Sequence, residues 1–502
     1  MVKGQHGNEF SRNSLVEHLD ACEGRTLGDL DIVGDFKRTA ANEKITGIAG
    51  DVVEHSVLGL SSNSRQEPDI VVDGVKYEVK TTGVRESRRG HHQLEAKEPM
   101  SITAVSPEKI TEEMYNDSSF LHKIAHLLLF YYLYDSKSTV KASEYARFPL
   151  LTYQFHEYSD YTQEERDTLM SDWQKVKNFI VFLQEHHSDY EKEYPRLSYE
   201  LRQELMLLDT APKWPHRPRF RFKRTFVTSI YQRHAFKRQK KEALPEKYTE
   251  IHDIYDKCHE LVVAHRGKTV QQMCDEFSVT VSRDIALKSI AEPIIVKMFG
   301  GTRHKMRDIE LFSKIGLVGK SIVLTQSGKR TEDTKFFTID FDEFSLRDHK
   351  FEDSQFYEFF SSHKILFVVF EEPSQEAPLT ENVFVGFSLV TFSEDFIQCH
   401  VRPVWERVRY LVRNQKLRES PVLKKDGTPV VNKNGVVSTE LNFPKSSEGV
   451  VFVRGTGTDS NDKRECVNGI RMYYQQLWVK GSYMAELVGQ SYTIPPQIMM
   501  RL

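Results

Sequence analysis

Apolar residues recur along this chain with two periods, and the elements change where the period changes. From Gly24 to Ile32, GRTLGDLDI reads as a short helix start, and from Gly47 to Leu60, GIAGDVVEHSVLGL spaces its apolar positions as an amphipathic helix with Glu54 among them. The stretch Pro68 to Thr82, PDIVVDGVKYEVKTT, predicts two strands, one of Ile70, Val71 and Val72 and one of Val75, Tyr77 and Val79, joined by a tight turn at Asp73-Gly74. SSFLHKIAHLLLFYYLYD (Ser118 to Asp135) runs from a polar start into apolar positions and predicts a buried central strand, with Lys123 at its entrance. From Tyr161 to Gln203 the composition is helical, and SDWQKVKNFIVFL packs its apolar positions around Trp173 at helical spacing. RFRFKRTF (Arg219 to Phe226) alternates cations with phenylalanines, which predicts a strand with one cationic and one aromatic face.

The second half repeats this order. HRGKTVQQM (His265 to Met273) echoes EGRTLGDLD, SIAEPIIVKMFGG (Ser289 to Gly301) echoes the Glu54 helix, and SSHKILFVVF (Ser361 to Phe370) echoes FLHKIAHLLLF around a shared His-Lys pair. VWERVRYLV (Val404 to Val412) then answers DWQKVKNFI, and LWVKGSYMAELV (Leu477 to Val488) answers RFKRTFVTSIY. Five echoes in unbroken order argue for two copies of one domain. The expected division is residues 1–241, a linker at 242–255, where EALPEKYTE occurs, and residues 256–502. At 502 residues the chain is too long for a single core, which agrees with two domains.

Composition narrows the class. A charged fraction of 28% and a mean hydropathy of −0.50 describe a globular protein, and no apolar run is long enough to span a bilayer. A cytoplasmic location is expected. Cys22, Cys258, Cys274, Cys399 and Cys466 are dispersed without a CxxC pair, so neither a disulfide framework nor a zinc site is indicated. The net charge of −3 hides a local excess: from Trp214 to Lys241 there is no Asp or Glu, and ten Lys or Arg are interleaved with aromatic residues. Such a patch suits phosphate contacts and guanine edges, and an acidic protein partner is the alternative. The basic loop RESRRGHHQ (Arg85 to Gln93) offers further phosphate contacts.

The candidate chemistry sits on the hairpin. Glu78 and Lys80 are two residues apart on one strand and share a face, while Asp69 opens the facing strand. Two converging carboxylates can hold a hard divalent ion, and the neighbouring ammonium can position water and neutralise charge on phosphorus. The same spacing also occurs on the solvated face of ordinary edge hairpins; the nuclease reading rests on its combination with the basic segment. In the second half the corresponding positions are Val296 for Glu54 and Val318 for Glu78, so that copy is expected to bind rather than cut, with Lys320 and Lys364 retained. GLVGKS there lacks the first glycine of a phosphate-binding loop, Lys314 standing in its place. VFVRGTGTDSND and LWVKGSY, with Arg454 and Lys480, are its candidate DNA-contacting elements.

GxxGDVVE, then Asp69 with Glu78-Val79-Lys80, then HKI at His122 to Ile124, then Asp172-Trp173 and FKRTFVTS resemble the MutH family, and an active domain followed by a degenerate copy is similar to the Sau-type restriction endonucleases that cut at GATC. The resemblance covers nearly the whole chain, and its hairpin motif is shared with the wider PD-(D/E)xK superfamily. It implies an α/β (α+β) fold of two tandem restriction-endonuclease-like domains. It further implies Mg²⁺-dependent hydrolysis with Asp69, Glu78 and Lys80 as the catalytic set, Glu54 assisting, Lys123 near the scissile phosphate, and Asp69, Glu78 and Glu54 as metal ligands. Double-stranded DNA containing GATC is the implied partner, contacted by Lys213, Arg221, Lys223, Arg224, Arg454 and Lys480. A cognate DNA methyltransferase, a bacterial cytoplasmic location and dimerisation on DNA complete the expectation. The Asp-to-Glu gap is two residues longer than usual in the family, a difference that a longer hairpin around Asp73-Gly74 would absorb.

Overall fold

The structure, a computed structural model, describes residues 8–42, 45, 47–61, 69–87, 93–136, 140–210, 217–236, 241–280, 290–329, 332–345, 349–374, 377–431, 435–457 and 462–492. It forms two compact units. The first comprises residues 1–136, 140–257 and 296–317, and the second residues 137–139, 258–295 and 318–502.

The first unit is built on a mixed six-stranded sheet of β1 (Glu9–Phe10), β2 (Ile70–Val72), β3 (Val75–Glu86), β4 (Leu94–Ala96), β6 (His126–Leu133) and β7 (Leu150–Glu157). The order is β1-β2-β3-β6-β7, with β4 on the far end of β3. A smaller antiparallel sheet contains β5 (Met100–Ala104), β8 (Leu208–Thr210) and β9 (Arg219–Phe222), in the order β5-β9-β8. The hairpin forms as the sequence predicts: Asp73 and Gly74 take φ of 49° and 82°, the left-handed pair that a two-residue hairpin turn needs. Its apolar alternation buries Ile70, Val72, Tyr77 and Val79 in a core with Leu128, Phe130 and Leu150.

Two sequence expectations change here. Ser118 to Asp135 is not one strand: Ser118 caps a helix, Ser119–Ile124, through a 3.1 Å bond from the Leu121 amide, and only then does β6 begin. RFRFKRTF likewise breaks at Lys223. Phe220 and Phe222 point inward from β9 as alternation requires, but Arg224 opens the helix Arg224–Ala235 and is buried.

The segment expected as a linker, 242–255, is instead packed in the first unit. Tyr248 is fully buried, Glu242 accepts from the Thr302 and Arg303 amides at 2.7 and 2.9 Å, and the helix Ile251–His265 already begins inside it. Residues 296–317 also belong to this unit, where Lys314 makes a buried pair with Glu165 at 2.8 Å. Removing one partner of such a pair strands a buried charge.

The second unit carries β10 (Leu317–Leu324), β11 (Thr334–Thr338), β12 (Lys364–Glu371), β13 (Val383–Val390), β14 (Glu419–Pro421), β15 (Thr439–Leu441), β16 (Val451–Gly455), β17 (Glu465–Val467), β18 (Ile470–Met472) and β19 (Gln475–Val479). Its main sheets are β10-β12-β13 and β11-β19-β16, which reproduce β3-β6-β7 and β5-β9-β8. Finer detail repeats too. The Gly24 and Leu27 amides bond the Leu150 and Phe148 carbonyls, and the Gly267 and Val270 amides bond those of Phe384 and Asn382. The ring pair Tyr115–Trp173 and its counterpart Phe351–Trp405 both have centroids 5.7 Å apart. The register of β6 with β7 shifts at Tyr131/Tyr132 and that of β12 with β13 at Val369/Phe370, so His126 corresponds to Lys364. The shared His-Lys pair of the sequence is therefore not in structural register: His122 and Lys123 lie on a helix, while Lys364 begins β12 and is buried.

His156 on β7 gives the first unit a pH-dependent term. It is 2% exposed, and burial pulls its imidazole down to about 4. The folded state thus holds it neutral, whereas the unfolded chain protonates it near 6.5. Stability is present above about pH 6.5 and is lost as pH falls toward 4, by roughly 3 kcal/mol from this residue. Urea unfolding of His156→Gln across this window should show a shallower loss than the unmodified chain.

Candidate active site

The hairpin register brings the predicted acids together. Ile70 pairs with Tyr77, so one step outward Asp69 lies across from Glu78, and the Asp69 Oδ2 accepts from the Val79 amide at 2.8 Å. The longer Asp-to-Glu spacing is thereby taken up in two paired strands. Glu78 is 6% exposed; its Oε1 accepts from Lys80 Nζ at 2.7 Å and its Oε2 from Lys123 Nζ at 2.5 Å. Lys123 reaches it from the last turn of the helix Ser119–Ile124, which directly precedes β6, the parallel neighbour of β3.

Glu54 arrives from another element. After the short helix Ile48–Asp51, residues Val52–Val57 widen into a π-helical turn in which the Leu58 amide bonds the Val53 carbonyl at 2.9 Å. Burial, and then the charge of Asp69, hold the Glu54 carboxyl above the usual range, with Lys80 opposing the shift. Burial, and then Glu78, raise Asp69 in the same way. Glu54, Asp69, Glu78, Lys80 and Lys123 thus form one electrostatic cluster, in which crowded carboxylates would gain from a cation.

The available donors are carboxylate oxygens, which fit a hard divalent ion. Among the described residues no three His, Cys, Asp or Glu side chains are grouped tightly enough to hold a metal by themselves. Asp69 and Glu78 suffice for an ion that takes one or two protein carboxylates and fills its other positions with water and phosphate. Glu54 adds a third carboxylate within the field of Asp69 and Lys80.

The predicted DNA contacts divide differently. Lys213 lies outside the described residues. Arg221 is half-buried and pairs with Asp209 at 2.5 Å. Arg224 is buried against Glu95 at 3.1 Å, and Lys223 turns its ammonium to the Leu205 carbonyl beside the buried Asp172, its pKa lowered by burial. Lys223 therefore braces the segment leading into the small sheet, and Arg224 ties the start of its helix to β4 of the large sheet. Arg219 is exposed on the same strand. In the second unit Arg454 pairs with Asp333 at 2.8 Å and stacks over Phe452 and Trp478, while Lys480 is half-exposed at the end of β19.

The second copy lacks the acidic half of the site in fold as well as sequence. Val296 is fully buried in the helix Ala291–Met298. Where the first copy has β2, the helix Glu310–Ile315 runs to Gly316, whose φ of 69° ends it, and β10 starts immediately. Lys320 donates to the Lys335 carbonyl at 2.8 Å.

Sequence reading did not find the residues that grip the π-helical turn from behind. Asp35 accepts from His55 Nδ1 at 3.0 Å, Arg38 reaches Asp51 at 2.7 Å, and Ser56 Oγ lies 3.3 Å from Asp31 Oδ1. Only the spacing of Asp31, Asp35 and Arg38 in a polar loop could have signalled them.

Residues 58–172, which include the hairpin and Lys123, match the family described as the DNA mismatch repair enzyme MutH. The type II restriction enzyme Sau3AI of Staphylococcus aureus is 23% identical over 445 residues, 86% of either chain. The carboxylate–lysine cluster thus stands in a chain that is similar to the MutH family over residues 58–172 and to a Sau-type restriction enzyme over most of its length.

Proposed function

We propose that this protein is a type II restriction endonuclease that hydrolyses phosphodiester bonds of double-stranded DNA at GATC with Mg²⁺, leaving 5′-phosphates. The observation that carries the reading is the convergence of Asp69 and Glu78 with Lys80 and Lys123 inside a chain that aligns over most of its length with a restriction enzyme. Bound at Asp69 and Glu78, Mg²⁺ would polarise a phosphoryl oxygen and acidify water. Lys80 orients the attacking water and takes up negative charge developing on phosphorus. Lys123 supports the opposite oxygen of Glu78 and extends the cationic field toward the scissile phosphate. Glu54 flanks Asp69 and accepts a hydrogen bond from water on that side.

The second unit, lacking counterparts to Glu54 and Glu78, binds a second GATC as an effector through Arg454 and Lys480. With one competent site per chain, cutting both strands calls for two chains meeting on DNA or two successive nicks. A cognate methyltransferase would protect the host, and the bacterial cytoplasm is the expected location.

The match to a mismatch repair enzyme favours a second reading, a nickase acting at hemimethylated GATC. A second DNA-binding copy supports restriction instead, since it senses a further site without an activator. A non-catalytic DNA-binding protein is the third possibility, and the retained acidic cluster speaks against it. Incubation with Mg²⁺ and unmethylated plasmid, beside methylated plasmid and an EDTA control, separates the three. Metal-dependent fragments ending at GATC support restriction, nicked circles support the repair reading, and intact plasmid with a retained gel shift supports binding alone. Binding should weaken steeply with salt, because each phosphate contact releases counterions; titrations between about 50 and 200 mM salt test this.

A further inference from the structure

The π-helical turn Val52–Val57 brings two neighbouring side chains to opposite tasks. Glu54 lies within the electrostatic reach of Asp69 and Lys80, whereas His55 turns back to the loop 31–38. His55 Nδ1–H donates to both oxygens of Asp35, at 3.0 and 3.1 Å, and Asp35 is 5% exposed. That loop is itself fixed. Asp31 accepts from the Gly34, Asp35 and Phe36 amides at 2.8, 2.8 and 2.9 Å, and Ser56 Oγ accepts from the Val33 amide at 3.1 Å. Arg38 bridges Asp35 and Asp51 at 3.3 and 2.7 Å, tying the same loop to the residue before the turn.

A π-turn is a local departure from regular helix and persists where the surroundings hold it. Here one rigid loop holds its beginning, middle and end through Asp51, His55 and Ser56. Glu54 directly precedes His55 in the chain, so loss of the His55–Asp35 bond would untie the middle of the turn and let the backbone that carries Glu54 relax away from Asp69.

We infer that Asp35 and His55 form a positioning pair that sets the Glu54 carboxylate against the metal-binding acids, an inference that rests on the nuclease reading and extends it. Neither residue touches substrate. Partners beyond the direct ligands of a metal typically change its affinity by about 10- to 100-fold when removed.

The test uses the full chain without DNA and reads Mn²⁺ affinity from the electron paramagnetic resonance of free Mn²⁺. His55→Ala should weaken binding by roughly tenfold. His55→Asn, which keeps an N–H near the Nδ1 position, should recover most of the loss, and thermal unfolding of both variants establishes that they fold. Asp35→Asn is the companion should His55→Ala fail to fold. Glu54→Gln should also weaken Mn²⁺ binding, and adding His55→Ala to it should have no further effect, an outcome that a merely structural role would not produce. Hydrogen exchange of residues 48–60 in the metal-free protein should speed up in His55→Ala and slow again in His55→Asn. Unchanged Mn²⁺ affinity in His55→Ala, or additive losses in the double variant, overturns the inference. Absence of both Mn²⁺ binding and cleavage in the unmodified chain overturns the nuclease reading instead.

Discussion

Glu78→Ala should lose DNA cleavage by about 10³-fold or more while retaining the gel shift of the unmodified chain. The reason is geometric as well as chemical. Glu78 holds an ammonium at each of its two oxygens, Lys80 on one side and Lys123 on the other. Its removal would take away a proposed metal ligand and leave two half-buried lysines facing each other across the gap it vacated, so their ammonium groups would repel and shift. Lys80→Ala removes one cation and keeps both acids, and a loss of about 10² to 10³ in kcat is expected. A cleavage assay at saturating Mg²⁺ and DNA reads both, and cutting by Glu78→Ala at the rate of the unmodified chain would remove the active-site assignment.

The second large effect is on stability. Asp172 is 1% exposed, and its carboxylate accepts from three consecutive amides, Met206 at 3.0 Å, Leu207 at 2.7 Å and Leu208 at 2.8 Å. These amides lead directly into β8, which with β9 presents Arg219 and Arg221. Asp172→Ala leaves three buried N–H groups without acceptors, each costing about 1–3 kcal/mol, so a loss of roughly 3–5 kcal/mol is expected. Thermal unfolding of the first unit should fall by about 10 °C. Asp172→Asn restores one acceptor oxygen but points an amide group at an amide donor, and should lie between the two. A midpoint unchanged by Asp172→Ala would mean that the turn before β8 is held by packing alone.

In the second copy the position echoing Asp172 is Val404, which is buried. There the tryptophan Nε1 instead meets the fully buried Glu343 at 3.1 Å, and Glu343 also accepts from the Gln355 amide at 3.0 Å. The duplicated fold thus keeps its aromatic pair while changing the acid that organises the surroundings.

Much of the architecture was legible because it rests on local periodicity. Alternation about Asp73-Gly74 dictated the hairpin, since a two-residue turn with positive φ at both positions selects those residue types. The order of five short echoes foretold the repeat, and sheet order and matching backbone bonds carry it through. The candidate acid–lysine pair was legible for the same reason: a period of two places Glu78 and Lys80 on one face whatever the rest of the chain does.

What failed was whatever depends on partners distant in sequence. The shared His-Lys pair misled because one copy inserts it in a helix and the other at a strand start, and only the strand register separates them. The charge run from Trp214 to Lys241 read as a patch for phosphate and base contacts, yet Lys223 and Arg224 are drawn inward by Asp172 and Glu95. Residues 242–257 and 296–317 joined the first unit because Tyr248 and Lys314 find buried partners there, including Glu164 and Glu165. His55 gave no signal, because its partner Asp35 is 20 residues away. The sequence by itself determined the hairpin, its turn, the order of the echoes and the shared face of Glu78 and Lys80, all properties of neighbouring residues. Tertiary structure decided which lysines meet Glu78, which arginines stay exposed and which loop grips the π-helical turn, because burial and long-range pairing, rather than residue type, set the free energy of a charge.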